Sequence, residues 1–364
     1  MKPSFGVAEK GRALRQAVPG LAVLGVLVLA GFVLHRPPVS KSLAPAPPGW
    51  TRTIEPGKAL AIAFLGDSVL VGGRDGLFEL DRQTGRFIRQ VDLGSKQPHI
   101  RSLAVGRDGS LWIGHLDGLI RLKGGILEAW TQKEGLPANR VNCVRILASS
   151  VIIGTSKGLS QLKNGTWEVM SENRLLASPV VNCILKASDG SLWVGSSSDP
   201  KGGLARIHDG KAQVWTSDNG LPHPYVQDLE EMLDGRVWAS TGQLQKGGAV
   251  CFKPQGRSAV LLNTETKQSG LAGEKVRSCG LTEEGRLIFG SENDGMAVWD
   301  GSRWKVLTVK DGLPHNEVTA IETDSQGVIW AATLNGVLRI DPRVRGSLPK
   351  SDRPATQAAQ GRGK

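Results

Sequence analysis

Residues 100–122 read IRSLAVGRDGSLWIGHLDGLIRL, and this stretch decides the fold. An apolar run leads to an Asp-Gly turn. A Leu-Trp pair follows, then a small residue, a second turn glycine and another apolar run. The same order returns at residues 181–207 (VNCILKASDGSLWVGSSSDPKGGLARI) and 318–340 (VTAIETDSQGVIWAATLNGVLRI). With the Trp column as ruler, its occupants are Leu70, Trp112, Ile152, Trp193, Trp238, Ile288 and Trp330, at intervals of 42, 40, 41, 45, 50 and 42 residues. Short alternating strands between Gly turns at such a period predict a stacked or radial repeat. Four short strands in about 40 residues make one β-propeller blade. The chain therefore reads as an all-β, seven-bladed β-propeller.

Within each copy we label the strands a to d from the propeller axis outward. In the copy at 100–131, strand a is the run before the Asp-Gly turn, strand b carries the Trp and strand c follows the second glycine. Strand d carries an aromatic residue and a threonine, and a Gly-Leu-Pro loop leads to the next copy, as at residues 135–137, 220–222 and 312–314. The last copy lacks a strand d. An orphan copy, Trp50-Thr51-Arg52, stands before the first blade and matches Trp130-Thr131-Gln132 and Trp215-Thr216-Ser217. The expectation is that residues 49–54 complete the seventh blade, so that residues 49–341 form a closed ring with no open edge. All ten tryptophans then occupy fixed repeat positions. That favours inter-blade packing over a sugar-stacking platform.

The formal net charge of +11 lies mostly on the two ends. Residues 1–41 carry a net +5 and residues 343–364 another +5, which leaves the repeats nearly neutral. A nucleic-acid-binding domain needs its basic patch on the folded surface, so no nucleic-acid partner is expected. Residues 17–34 (AVPGLAVLGVLVLAGFVL) carry no charge. As a helix they would span ~27 Å, close to the hydrocarbon thickness of a bilayer. The basic residues of segment 1–16 precede them, which places that segment in the cytoplasm and the propeller on the periplasmic or extracellular side. Ala44-Pro45-Ala46 fits a signal-cleavage pattern, but Pro47 would then begin the mature chain. The expectation is an uncleaved, single-pass anchor in the bacterial inner membrane. Residues 35–48 are a proline-rich, semi-rigid spacer, and residues 342–364 are expected to be a disordered basic tail.

The pattern of Asp108-Gly109-Ser110-Leu111-Trp112-Ile113-Gly114 with Gly118-Leu119-Ile120-Arg121-Leu122, followed by Trp-Thr and Gly-Leu-Pro, resembles the two-component regulator propeller repeat of bacteria. The resemblance covers about residues 50–341; the copies at Leu70, Ile152 and Ile288 lack the Trp. In that family such propellers are exported sensor regions, often two in tandem, joined through a membrane helix to a histidine kinase. This chain spells one propeller and no kinase-like segment. What the resemblance implies here is an exported propeller that binds a ligand or a partner protein.

Where binding sits follows from the loops. In a propeller the d–a and b–c loops share one face, and loops on a rigid scaffold concentrate binding residues. The second residue of strand a is polar in six copies: Arg101, Asn142, Asn182, Gln227, Arg277 and Thr319. These should ring the mouth of the central channel, either as a ligand site or as groups that bond channel water and backbone. The b–c loops of blades 4 and 5, residues 196–203 and 240–248, are longer than the others. They carry Asp199, Lys201, Gln243 and Lys246, and the d–a loop between them carries His223 and Tyr225. This mixed-charge rim suits a glycan, a peptide or an envelope protein; drift in exposed loops is the plainer explanation. A propeller enzyme of lyase or lactonase type is the alternative function. His99, His115, His223 and His315 would lie on the mouth face, yet two histidines in one blade without a carboxylate cluster make a thin metal site. No catalytic residue, metal or cofactor is assigned. Cys143, Cys183, Cys251 and Cys279 read as buried reduced thiols.

Overall fold

The computed structural model describes residues 45–94, 97–147, 150–198 and 200–349. They form seven four-stranded antiparallel sheets. Six are simple meanders of consecutive strands. Each innermost strand packs against that of the next sheet, and the seventh packs against the first. The result is a seven-bladed β-propeller. The seventh blade combines Val318–Thr323, Ile329–Thr333 and Gly336–Ile340 with Trp50–Thr53 from the other end of the chain, in the register Trp50↔Ile340 to Thr53↔Val337.

The expectation of a disordered tail from residue 342 does not hold for residues 342–349. Residues 342–349 form turns against the seventh blade: the Trp50 indole N–H donates to the Ser347 carbonyl at 2.6 Å, and Arg286 donates to the Pro349 carbonyl at 2.9 Å. Ser347 is buried. Two strong donors need acceptors there, and the chain beyond Asp341 supplies backbone carbonyls together with Leu348, which packs against the core of the seventh blade. The expected anchor at residues 17–34, segment 1–16 and residues 350–364 lie outside the described residues. Among the described residues no helix is long and apolar enough to cross a membrane.

The repeat motif is a set of linked contacts. In blade 2 the Asp108 carboxylate accepts from the backbone N–H of Ser110 at 3.1 Å, which folds the turn, and Gly109 takes its left-handed position at φ +75°. The Ser110 hydroxyl oxygen then accepts from the Trp112 indole at 3.1 Å. Blade 4 repeats this through Asp189, Ser191 and Trp193 at 2.8 and 2.9 Å. Across the ladder the Trp of strand b faces the Arg of strand c: Trp112↔Arg121, Trp193↔Arg206 and Trp330↔Arg339. Each guanidinium covers its indole at 5.5–5.9 Å, a cation–π contact. Where the Trp is lost, the Arg is lost as well: the pairs become Leu70↔Glu79, Ile152↔Gln161 and Ile288↔Val298. Blade 5 is the exception, with Trp238 facing Cys251.

The Trp-Thr and Gly-Leu-Pro motifs also resolve physically. Thr131, Thr216 and Thr266 cap one-turn 3-10 helices that the sequence reading left as plain loop. The leucine that follows the turn glycine is buried between blades, as at Leu136, Leu221, Leu271 and Leu313. Seven of the ten tryptophans are buried, Trp193 and Trp330 completely, so packing is their main role. All four cysteines are free and buried. Burial pushes the Cys143 thiol up to about 11 and the Cys251 thiol up to about 12.

Candidate functional site

The channel mouth is built by a defect that recurs in every blade. In all seven innermost strands the ladder register shifts between the first and third residues, as at Ile100/Ser102, Val141/Cys143 and Val318/Ala320. A β-bulge leaves one residue unpaired and re-aims its side chain. The unpaired second residues are Leu60, Arg101, Asn142, Asn182, Gln227, Arg277 and Thr319, and all seven line one cavity of about 150 Å³. The d–a and b–c turns do share this face. In every blade a b–c turn N–H donates to the residue before the inner strand, for example Leu116 to His99, Ser156 to Arg140 and Glu292 to Lys275.

Most of the ring is occupied in holding blades together. Asn142 donates to the Val181 carbonyl of the next blade at 2.8 Å, Asn182 to Val226 at 3.0 Å, and Thr319 to Ala59 at 2.8 Å. Gln227 donates to Gly242 within its own blade at 2.8 Å. Arg277 is neutralised, 2.7 Å from Glu317 and 3.2 Å from Glu292, which also binds Lys275 at 2.6 Å.

Arg101 is different. Its Nε is buried without a hydrogen-bond partner, and so are the neighbouring Gln97 Oε1 and His99 Nε2. Burial lowers the Arg101 guanidinium to about 10, with further lowering by the charges of Arg140 and Arg277. Burial also lowers the His99 imidazole, helped by Arg101, Arg74 and Arg140, with Asp75 acting the other way. The mouth at blades 1 to 3 is thus a group of cations that repel one another. The residues just before the inner strands add to it, with Lys58 in blade 1 and Arg140 in blade 3, while His99 in blade 2 is held toward its neutral form. The sequence reading put His99 and Tyr225 on the mouth face but missed Lys58 and Arg140. Their signal is position alone, one residue ahead of each strand a.

Deeper in the channel the sign reverses. Arg145, Asp228 and Glu322 line the same cavity. Asp228 accepts from the backbone N–H of Cys279 at 3.1 Å and of Leu229 at 2.9 Å, and burial raises its pKa. Burial raises Glu230 to about 8, helped by the charges of Glu322 and Asp228. Burial raises Glu322 to about 7, opposed by Arg145. These residues were also missed. The available signal was a charge at the fifth place of strand a, where other blades have Ala63, Ala104, Leu185 and Gly280.

The expected rim of blades 4 and 5 forms a separate group, none of which lines the channel cavity. His223 and Tyr225 lie with ring centres 5.4 Å apart, and His223 Nδ1 accepts from the Tyr225 backbone N–H at 3.1 Å. The Gly242 N–H donates to the Tyr225 carbonyl, and Gly202 packs against Pro224, so the three loops do meet. The expected long loop at 240–248 is instead an extension of the hairpin Val237–Gln243/Lys246–Gln255, with Gln243 paired to Lys246. Leu244 and Gln245 form its tip at φ +50° and +60°, the twist a two-residue hairpin turn demands. Lys201 stands at the tip of the blade 4 loop; Asp199 lies outside the described residues.

Residues 175–198 and 312–335 match the two-component regulator propeller family. The two matched stretches fall in blades 4 and 7, on two copies of the repeat. These repeats build a fold seen in solved structures. The extracellular domain of BT3049 from B. thetaiotaomicron, assigned to a hybrid two-component system, is 17% identical with a TM-score of 0.68 over 82% of this chain and 41% of that one. The extracellular domain of BT4673, assigned to a one-component system of the same organism, is 18% identical with a TM-score of 0.65, over 80% and 40%. A catalytically inactive virginiamycin B lyase from Staphylococcus aureus with quinupristin is 12% identical with a TM-score of 0.61, over 80% and 98%. The chain spans about two fifths of the two sensor chains. At these identities the likeness is one of fold. No curated protein matches the sequence.

Proposed function

We propose that this protein is an exported recognition module, held at the bacterial inner membrane by residues 17–34, whose mouth takes an anionic group. That group belongs to a small ligand such as an acidic glycan unit, or to a peptide or envelope partner protein. One observation carries the reading: the buried Arg101 presents an Nε donor without a partner, with the cations Arg140 and Arg277 as its main charged neighbours. Buried polar atoms are almost always satisfied, and a bound carboxylate or phosphate would satisfy Arg101 with charge-assisted hydrogen bonds. The likeness to sensor extracellular domains supports recognition as the role. The rim of Lys201, His223, Tyr225, Gln243 and Lys246 is the second contact area for a larger ligand.

The test is titration of the protein with galacturonate, succinate and phosphate, each against Arg101→Gln. Saturable binding that weakens by about tenfold or more in the variant, with stability unchanged, is expected. No binding of any of the three, or equal binding by both proteins, overturns the anionic site. Co-purification of a membrane complex that Arg101→Gln abolishes would place the anionic group on a partner protein.

A second reading, an enzyme of lyase or lactonase type with its site at the mouth, is favoured by His99. Its depressed pKa keeps the ring neutral and Nε2 unpartnered, as a general base needs. Turnover of a bound acidic sugar that His99→Gln abolishes without loss of binding would establish it.

A further inference from the structure

The seam between blades 5 and 6 carries a second cavity, independent of the mouth and larger, at about 550 Å³. It adjoins the blade whose strand c carries no arginine opposite the Trp. In blades 2, 4 and 7 an arginine from strand c covers the indole of strand b. In blade 5 that place is held by Cys251, and the nearest arginine, Arg236, comes from the turn and pairs with Asp234 at 2.8 Å. Trp238 itself stays buried, packed against Phe289 with ring centres 5.4 Å apart. Trp238, Trp299 and Trp304 line the cavity, and Trp299 and Trp304 meet at 61° with centres 5.1 Å apart, forming an aromatic corner. Both are only half-buried. Strand d of blade 5, Ser258–Glu265, overhangs it with eight residues where most outer strands have four or five.

The polar groups around this corner define the ligand. Asp234 is matched by Arg236, and Glu284 lies 3.9 Å from Arg286. Glu265 accepts from the Trp304 indole at 3.2 Å. The charges nearly cancel, so neither a cation nor an anion is strongly favoured. What remains is a set of planar donors and acceptors around apolar ring faces. We propose that the seam binds a neutral sugar of one or two rings, its apolar face against Trp299 and Trp304 and its hydroxyls against the carboxylate and guanidinium rim. The volume falls in the range of about 300–1,000 Å³ usual for small-ligand sites, and aromatic rings supply contact area at little entropic cost.

The experiment is fluorine NMR of the full chain labelled with 5-fluorotryptophan, titrated with glucose, galactose, N-acetylglucosamine, maltose, cellobiose and tetramethylammonium to about 50 mM, the weak end of measurable affinity. At least one sugar should shift the Trp299 and Trp304 resonances saturably and leave Trp112 and Trp193 unmoved. Thr264→Trp, an exposed change on the cavity wall, should block the effect with no change in melting temperature, and Trp299→Ala should weaken it by about tenfold. Arg101→Gln should leave it intact, which separates this seam from the mouth. Failure of all five sugars, survival of the shifts in Thr264→Trp, or a response to tetramethylammonium alone overturns the proposal.

Discussion

Arg101 and Arg277 hold the same place in their blades, the bulged second residue of the inner strand, yet they stand in opposite electrostatic settings. Arg277 has Glu317 at 2.7 Å and Glu292 at 3.2 Å. Arg101 has no carboxylate partner, a buried orphan Nε, and Arg140 and Arg277 as its main charged neighbours. The repeat places both guanidinium groups at the mouth. Their chemistry is decided by residues outside the repeat pattern: the turn residue Glu292 and Glu317, one residue ahead of a strand. A shared fold position therefore does not make a shared role. Arg277 reads as part of the wall, and Arg101 as the part that awaits a partner.

The largest effect that could break this contrast is on stability. Arg277→Gln should cost about 2 kcal/mol, because the partly buried Glu317 loses its counter-ion and Glu292 keeps only Lys275. Arg101→Gln should cost nothing or stabilise slightly, since it relieves repulsion. Urea denaturation of both variants checks this, and equal losses would erase the distinction.

A smaller effect sharpens it. Glu317→Gln releases Arg277 from its nearest carboxylate and should strengthen succinate binding by a few-fold, since the mouth loses one negative charge and Arg277 is left to share Glu292 with Lys275. Isothermal titration would show it; unchanged or weaker binding would mean that Arg277 does not face the ligand.

The smallest effect concerns the acids below the ring. Glu230 and Glu322 titrate near 8 and 7 in the fold, above their ordinary value, mainly because burial disfavours their charge. A group that holds its proton more tightly when folded stabilises the fold below its unfolded pKa, and this is lost as pH rises through the folded value. The melting temperature should thus fall by a few degrees between about pH 5 and about pH 8.5. Glu230→Gln with Glu322→Gln should flatten that slope. His99 acts in the opposite sense, because its lowered pKa penalises the fold below about pH 6.5. A slope that persists unchanged in the double variant would show that the channel acids are not its source.

Much of this fold could be read from residue order. The Asp-Gly turn, the serine that accepts the indole and the Trp–Arg pair are all local or cross-strand contacts, so their spacing appears directly in the chain. The orphan Trp50-Thr51-Arg52 could be matched to strand d because the d strands share that signature. The ring of polar second residues was visible as a break in apolar runs. What escaped is what depends on hydrogen bonds or neighbours rather than on alternation. The 3-10 turns follow from threonine caps. The blade 5 hairpin follows from pairing of residues 241–243 with 246–248. Residues 342–349 are held by donors from Trp50 and Arg286 and by Leu348 packing on the core.

The sequence by itself determined the number of blades and the face on which the polar ring lies. Both follow from periodicity, because each blade buries its apolar faces against the next and must repeat the same pattern to do so. Only the tertiary structure decided which ring residue lacks a partner and where two half-buried indoles meet beside a cavity. Glu317 reaches Arg277 across a blade boundary, 40 residues along the chain. The seam cavity is lined by Trp238 of one blade and by Trp299 and Trp304 of the next. Charge compensation and cavity volume are sums over neighbours in space, and no pattern along a single strand encodes them.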